Sequence, residues 1–171
     1  MDDDVLIRRF LAGDEAAFRR LYRRHAPRLR MTILRILGHR GQEADDVLQD
    51  AWVSACRGLH QFRGDARFST WLAAIAIRTA KRRMDWTAAH SELYEGLSAP
   101  AAAPGDSIDL ERALVRLADA HRAVIVLHDV EGYTHEEIAD LLGIAAGTSR
   151  SLLTRGRRSL RRLLTSEPSH A

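Results

Sequence analysis

One tight turn constrains this chain more than any other feature. Glu136-Glu137-Ile138-Ala139-Asp140-Leu141-Leu142-Gly143 reads as an amphipathic helix that stops at a glycine. Ile138, Leu141 and Leu142 repeat at i, i+3 and i+4 as an apolar stripe, while Glu136, Glu137 and Asp140 fall on the solvated side. Gly143 can take a positive φ without steric cost, which a helix end followed by a sharp reversal requires. Ile144 then plugs the corner, and the hydroxyl of Thr148 or Ser149 is predicted to cap a second helix. Helix, tight turn and helix in this order are the sequence form of a helix-turn-helix.

The second helix is one-sided in charge. Between Ser149 and Leu164 there are six arginines, at 150, 155, 157, 158, 161 and 162, and no acid. Leu152, Leu153, Leu160, Leu163 and Leu164 can pack inward and leave the cations outside. A helix that is merely solvated usually mixes both signs, so a cationic run of this kind favours a polyanion, and duplex DNA is the polyanion that a helix-turn-helix fits. Arg150 and Arg155 lie in the half of the helix that would meet base edges.

The rest of the chain is read within that frame. A length of 171 residues with 46% hydrophobic residues supports one or two small cores, and a net charge of +3 makes local clusters more informative than the total. The single cysteine, Cys56, has no partner for an internal disulfide. The start, Met1-Asp2-Asp3-Asp4, is acidic and unlike a signal peptide, and no apolar run approaches the ~20 residues of a membrane span. These features predict a cytoplasmic protein with no membrane insertion.

No β-type alternation or internal repeat is present, so the predicted fold class is all-α, as two small helical domains joined by a flexible linker. In the first block a short helix covers Val5 to Leu11. A second, capped by Asp14, runs from Glu15 and is started anew or kinked at Pro27; a third spans about Glu43 to Gly58; a fourth, capped by Ser69, spans Thr70 to about Trp86. Residues 87–109 contain six alanines, two prolines, four acids and no lysine or arginine, the composition of a tether. Its acidity suits either a plain solubilising spacer or a strand that tracks or shields basic surfaces. The expected division is therefore 1–86, 87–109, 110–164 and a short tail, 165–171.

Two further patterns carry chemistry. Asp46, Gln49 and Asp50 share one face of the third helix, opposite Val47, Leu48, Ala51 and Trp52. Such a face suits a basic partner, although ordinary helix solvation explains it equally well by itself. After it, Phe62, Phe68, Trp71 and Trp86 interleave with Arg63, Arg67, Arg78, Lys81, Arg82 and Arg83, a mixture suited to unstacked bases and phosphates. Trp71 reads as a packing anchor, whereas Phe62 and Phe68 fit either core or base contact.

Asp45-Asp46-Val47-Leu48-Gln49-Asp50-Ala51-Trp52, followed by Phe62-Arg63-Gly64-Asp65-Ala66-Arg67-Phe68-Ser69-Thr70-Trp71-Leu72, closely resembles conserved region two of the extracytoplasmic-function (ECF) sigma factors. Leu117 to Arg122, Val130-Glu131-Gly132-Tyr133-Thr134-His135-Glu136-Glu137-Ile138-Ala139 and Gly147-Thr148-Ser149-Arg150-Ser151 resemble their region four. Together the two cover about Val5 to Leu164. The resemblance implies a dissociable transcription initiation subunit whose partners are core RNA polymerase, promoter DNA and an anti-sigma factor. It implies that Asp46, Gln49 and Asp50 face the polymerase clamp helices. The minus-ten element would meet Phe62, Arg63, Arg67, Phe68, Arg78, Lys81 and Arg82, and the minus-thirty-five element Thr148, Arg150, Ser151, Thr154, Arg155 and Arg158.

Four positions depart from the family pattern. Arg78 stands where asparagine is common, Ser149 where valine is usual, Leu152 where arginine is common and Ala118 where proline often opens a helix. Leu152 is expected to remove one cation from the DNA face, and Ser149 to remove apolar contact from the corner. Cys56 with His60, and His121, His128 and His135 at intervals of seven, form no closed zinc pattern, so no metal, cofactor or catalytic residue is predicted. Two other functions remain open to the sequence: a sigma-like decoy that sequesters an anti-sigma factor, and a free-standing repressor with one helix-turn-helix.

Overall fold

The computed structural model describes residues 2–84 and 110–165. The linker expected over 87–109 and the tail beyond 165 lie outside the described residues, as does Trp86. Among the described residues all regular structure is helical, with α1 at Asp3–Leu11, α2 at Glu15–Leu37, α3 at Ala44–Gly58 and α4 at Phe68–Arg83. The second domain contains α5 (Leu110–Val115), α6 (Asp119–Ile125), a wider π-helical turn (Val126–Val130), α7 (His135–Leu142) and α8 (Ala146–Thr165).

Asp14 starts α2 as its pattern requires: Oδ1 accepts from the backbone N–H groups of Ala16 at 2.9 Å and Ala17 at 3.3 Å. The helix continues through Pro27 without a new start. Pro27 is exposed, so the Arg23 carbonyl that its missing N–H leaves over lies beside exposed residues. Leu21, Leu29, Ile33, Ile36 and Leu37 bury one side of α2 against α3 and α4. Val47, Leu48, Ala51, Trp52 and Ala55 form the matching stripe of α3.

The start of α4 differs from expectation. It begins at Phe68 with extended Arg67 before it and no side-chain cap, so Ser69 lies inside the first turn. The cause is Phe68, which is 4% exposed and sits among rings, with centroids 5.8 Å from Phe62, 5.8 Å from Trp71 and 6.3 Å from Trp52. Burying that ring outweighs a serine cap.

In the second domain, Thr134 and Glu137 form a reciprocal capping box at α7. Thr134 Oγ1 accepts from the Glu137 N–H at 3.2 Å, and Glu137 Oε2 accepts from the Thr134 N–H at 2.8 Å. At the other end Gly143 takes the left-handed conformation, φ 62° and ψ 46°, as the turn demands. α8 then begins at Ala146, earlier than a cap at Thr148 or Ser149 would allow. Ser149 falls on the inward side, fully buried, and its Oγ lies 2.9 Å from His135 Nδ1.

The two domains touch. α2 meets α5, α6 and the π-turn, and α4 meets α7. Among the described residues no helix is long and apolar enough to cross a membrane.

Candidate nucleic-acid interface

Three surfaces carry the residues singled out by sequence. On α3, Asp46, Gln49 and Asp50 are all exposed. Asp50 Oδ2 accepts from Arg83 Nη2 at 3.1 Å, and neighbouring Asp45 is held by a two-pronged contact with Arg30 at 2.6 and 3.2 Å. That contact holds the Asp45 carboxyl below its usual range. Beside these acids lies an open groove of about 690 Å³ lined by Phe18, Tyr22, Leu48, Trp52 and Val53. Val53 is 43% exposed and Tyr22 38%. Sequence reasoning found the acids and missed the groove, because Phe18 and Tyr22 reach it from α2; their i, i+4 spacing was the available signal.

On the second surface, rings and cations separate. Arg63, Arg67, Arg78 and Arg82 are exposed, and Arg78, Lys81 and Arg82 share one side of α4 by i, i+3 and i+4 spacing. Phe62 is half-buried, packed on Trp71 with centroids 5.2 Å apart, and keeps part of its surface available. Phe68 is corrected from base-contact candidate to core: its faces are covered by Phe62, Trp71, Trp52 and His25. Gly64 lies between them at φ 78° with open space around it, so the loop bends without crowding a ligand. Lys81 Nζ donates to the Leu142 carbonyl in the second domain.

The third surface is the outer side of α8. Arg150, Ser151, Thr154, Arg155 and Arg158 are exposed and Thr148 is partly so. Ser149, Leu152, Leu153, Gly156 and Leu163 form the buried side. Leu152, 3% exposed, therefore removes no cation from the outer face; the position points into the core. Arg150 Nη2 reaches Glu136 Oε1 at 2.7 Å in an exposed pair worth about 0–1 kcal/mol, so the guanidinium is readily released to another acceptor.

α8 is held in place from behind. Gly156 allows close approach to α6, since a Cβ there would lie 3.0 Å from Ile125 Cδ1 and 3.1 Å from His121 Cβ. Arg157 Nε and Nη2 clasp Asp129 at 3.0 and 2.5 Å. Burial alone would raise the Asp129 carboxyl, but hydrogen bonds from Arg157 and His128 hold it below its usual range. His128 stacks on His135 with centroids 4.8 Å apart. Burial, then the neighbouring His128 and Arg150, keep the His135 imidazole below its usual range.

Comparison with known proteins agrees with this geometry. Residues 21–86 match the family model for Sigma-70 region 2, and residues 107–160 match that for Sigma-70, region 4. The chain is 37% identical over 167 residues to the ECF RNA polymerase sigma factor SigM of Mycobacterium tuberculosis strain H37Rv, covering 95% of this chain and 84% of that one. It is 30% identical over 179 residues to the ECF RNA polymerase sigma-E factor of Escherichia coli strain K12, covering 94% and 93%. Among solved structures, CnrH in complex with the cytosolic domain of CnrY aligns with a TM-score of 0.63 and 28% identity, over 97% of this chain and 99% of that one. The sigma factor RpoE of Bartonella quintana, solved with the anti-sigma factor NepR, aligns at 0.60 and 25%, over 88% and 98%. With both sigma regions present in order and relatives matched along nearly their whole length, the chain belongs to the ECF sigma factors, sigma-70 family subunits that initiate transcription and are not themselves enzymes.

Proposed function

We propose that residues 1–86 dock on core RNA polymerase and open the minus-ten element, that residues 110–164 read the minus-thirty-five element, and that 87–109 tether the two. In this reading Asp46, Gln49 and Asp50, with the apolar groove beside them, meet the polymerase. Phe62, Arg63, Arg67, Arg78, Lys81 and Arg82 hold the opened strand. Thr148, Arg150, Ser151, Thr154, Arg155 and Arg158 approach duplex DNA. The observation that carries this assignment is the division of chemistry among three surfaces: acids beside an apolar groove on α3, cations on α4, and a cationic outer side on α8. A repressor would leave the first without a role, and a decoy would not need the other two.

CnrH and RpoE were each solved with a protein partner, and RpoE's is named an anti-sigma factor. By that likeness this chain takes an anti-sigma partner that covers the α3 groove or the α8 face. The site of action is the cytoplasm, where polymerase and promoter are found.

The test is co-purification with bacterial core polymerase followed by run-off transcription on genomic fragments. The expected result is a stable complex and discrete transcripts that need both components. DNA binding without core association would favour the repressor, and anti-sigma binding without transcription the decoy.

A further inference from the structure

We infer that His128 and His135 are positioning residues for minus-thirty-five reading: stacked on each other, they tie two points of α8 to the rest of the second domain, and the tie holds only while at least one ring is uncharged. The inference deepens the function proposed above and rests on its assignment of α8 to duplex DNA.

The two anchors bracket the outer residues that approach DNA. In the first turn of α8, Ser149 Oγ shares a hydrogen bond of 2.9 Å with Nδ1 of His135, the first residue of α7. Farther along, Arg157 clasps Asp129 through Nε at 3.0 Å and Nη2 at 2.5 Å, and Asp129 Oδ1 lies 2.7 Å from His128 Nδ1. Eight positions separate Ser149 from Arg157, about 12 Å of helix at ~1.5 Å per residue. Arg150, Ser151, Thr154 and Arg155 lie between them, and Arg158 directly after. The anchors are joined by the stack itself, with centroids 4.8 Å apart and planes inclined by 24°. Two fixed points set the tilt of a helix, and tilt decides how far each side chain reaches into a groove.

The surrounding charges make this tie sensitive to protons. Among the described residues, the charged groups that face the stack are Asp129 of the π-turn, Glu136 of α7, and Arg150 and Arg157 of α8. Glu137, the next acid of α7, is committed to the Thr134 N–H. With both rings neutral, the two acids balance the two arginines. A proton on His128 faces Asp129. A second proton, on His135, faces a hydroxyl, an imidazolium 4.8 Å away and two arginines, because Glu136 is drawn to Arg150 at 2.7 Å. Like charges this close in a partly buried site repel, so the stack parts. Burial, His128 and Arg150 delay that second proton to below the usual histidine range. Added positive charge by itself strengthens the hold on any DNA. Lost positioning instead weakens the preference for one sequence over another, so discrimination is the quantity to follow.

In the experiment, holoenzyme is offered two promoter fragments in competition, alike except at the minus-thirty-five base pair whose change weakens binding most. The ratio bound is followed from about pH 7.5 to 5.5, across the histidine range. Titration of the core polymerase acts on both fragments equally. For the parent the ratio should fall about threefold or more, a part of the roughly tenfold preference that one well-placed base contact gives. His135→Asn, which keeps an amide at the place of Nδ1 and cannot charge, should give a flat ratio that stays above that of His135→Ala. His128→Asn removes the opposing imidazolium and should flatten the fall as well. Circular dichroism at each pH follows helical content. A fall that persists in both asparagine variants overturns the inference and assigns the acid effect elsewhere in the domain. So do equal ratios for the asparagine and alanine variants at position 135. A flat ratio in a parent that discriminates well overturns it too, while leaving α8 as the reader of DNA. A parent with no preference at any pH overturns the assignment of α8 itself, and the inference with it.

Discussion

Arg150 and Arg155 stand five positions apart on α8, so their directions differ by about 140° around the helix axis. Both are exposed, and Arg150, one turn from the start of α8, is paired with Glu136. Base contacts specify and phosphate contacts position, so the two have different expected signatures. Arg150→Ala should cost ~1–3 kcal/mol on the best minus-thirty-five site and relax preference at one or two base pairs. Arg155→Ala should weaken all sites alike and flatten the salt dependence, because one fewer counterion is released. Binding series over single-base variants at several salt concentrations separate these outcomes, and a swap of the two signatures would reverse the roles. Phe68 and Leu152 show the opposite lesson at the same scale: each lies in a DNA-associated motif, yet burial assigns its side chain to packing.

Elements contribute through what holds them. α8 rests on α6 partly through His121, which is buried with an Nε2 that has no hydrogen-bond partner among the described residues. Burial, then the charge of Arg155, hold the His121 imidazole below its usual 6.5. The unfolded chain therefore takes up this proton more readily than the folded one. Stability is full above about pH 6.5 and falls as pH drops toward the folded value, by at most ~1.4 kcal/mol per pH unit for one proton. His135, also held low, adds a change of the same sign. The thermal midpoint of the second domain is expected to fall on acidification from about pH 7.5 to 5.5, and His121→Leu to flatten that slope. An unchanged slope would remove His121 from this account. In the loop before α4, Arg63 and Arg67 stay exposed while Phe62 keeps a partial face. With stacking worth ~1–3 kcal/mol per base, replacing both arginines with alanine should reduce run-off more on fully paired promoters than on a pre-melted bubble. An equal loss on both would assign the loop to docking or folding.

At the scale of the whole molecule, the α3 face is the point at which the protein joins a larger assembly. Asp46 and Asp50 are exposed, and the Asp50–Arg83 pair is a surface contact of about 0–1 kcal/mol. Reversing both to arginine should therefore leave helical content near the parent value. Charged groups at an interface govern encounter and register, so the same change should abolish co-purification with core polymerase. Normal holoenzyme assembly by the double mutant would shift the interface to the aromatic groove alone.

The sequence by itself determined the all-α class, the helix-turn-helix corner at Gly143, the Asp14 cap and the outward cations of α8. Each depends on local periodicity or on the chemistry of one residue in one turn. The start of α4 was legible only to within two positions, and the start of α8 less well. In α4 the inward packing of Phe68 outweighed the hydroxyl of Ser69 beside it, and in α8 Ser149 lies inside the helix and turns inward to His135 instead of capping. Tertiary structure alone decided the groove shared by α2 and α3 and the burial of Phe68. It also decided the seating of Arg122 on carbonyls 85 and 86 positions away in sequence. The periodicity of a helix reveals which of its sides is apolar but not which element will cover it. A buried cation such as Arg122 completes its set of acceptors where the end of a distant helix meets it in space.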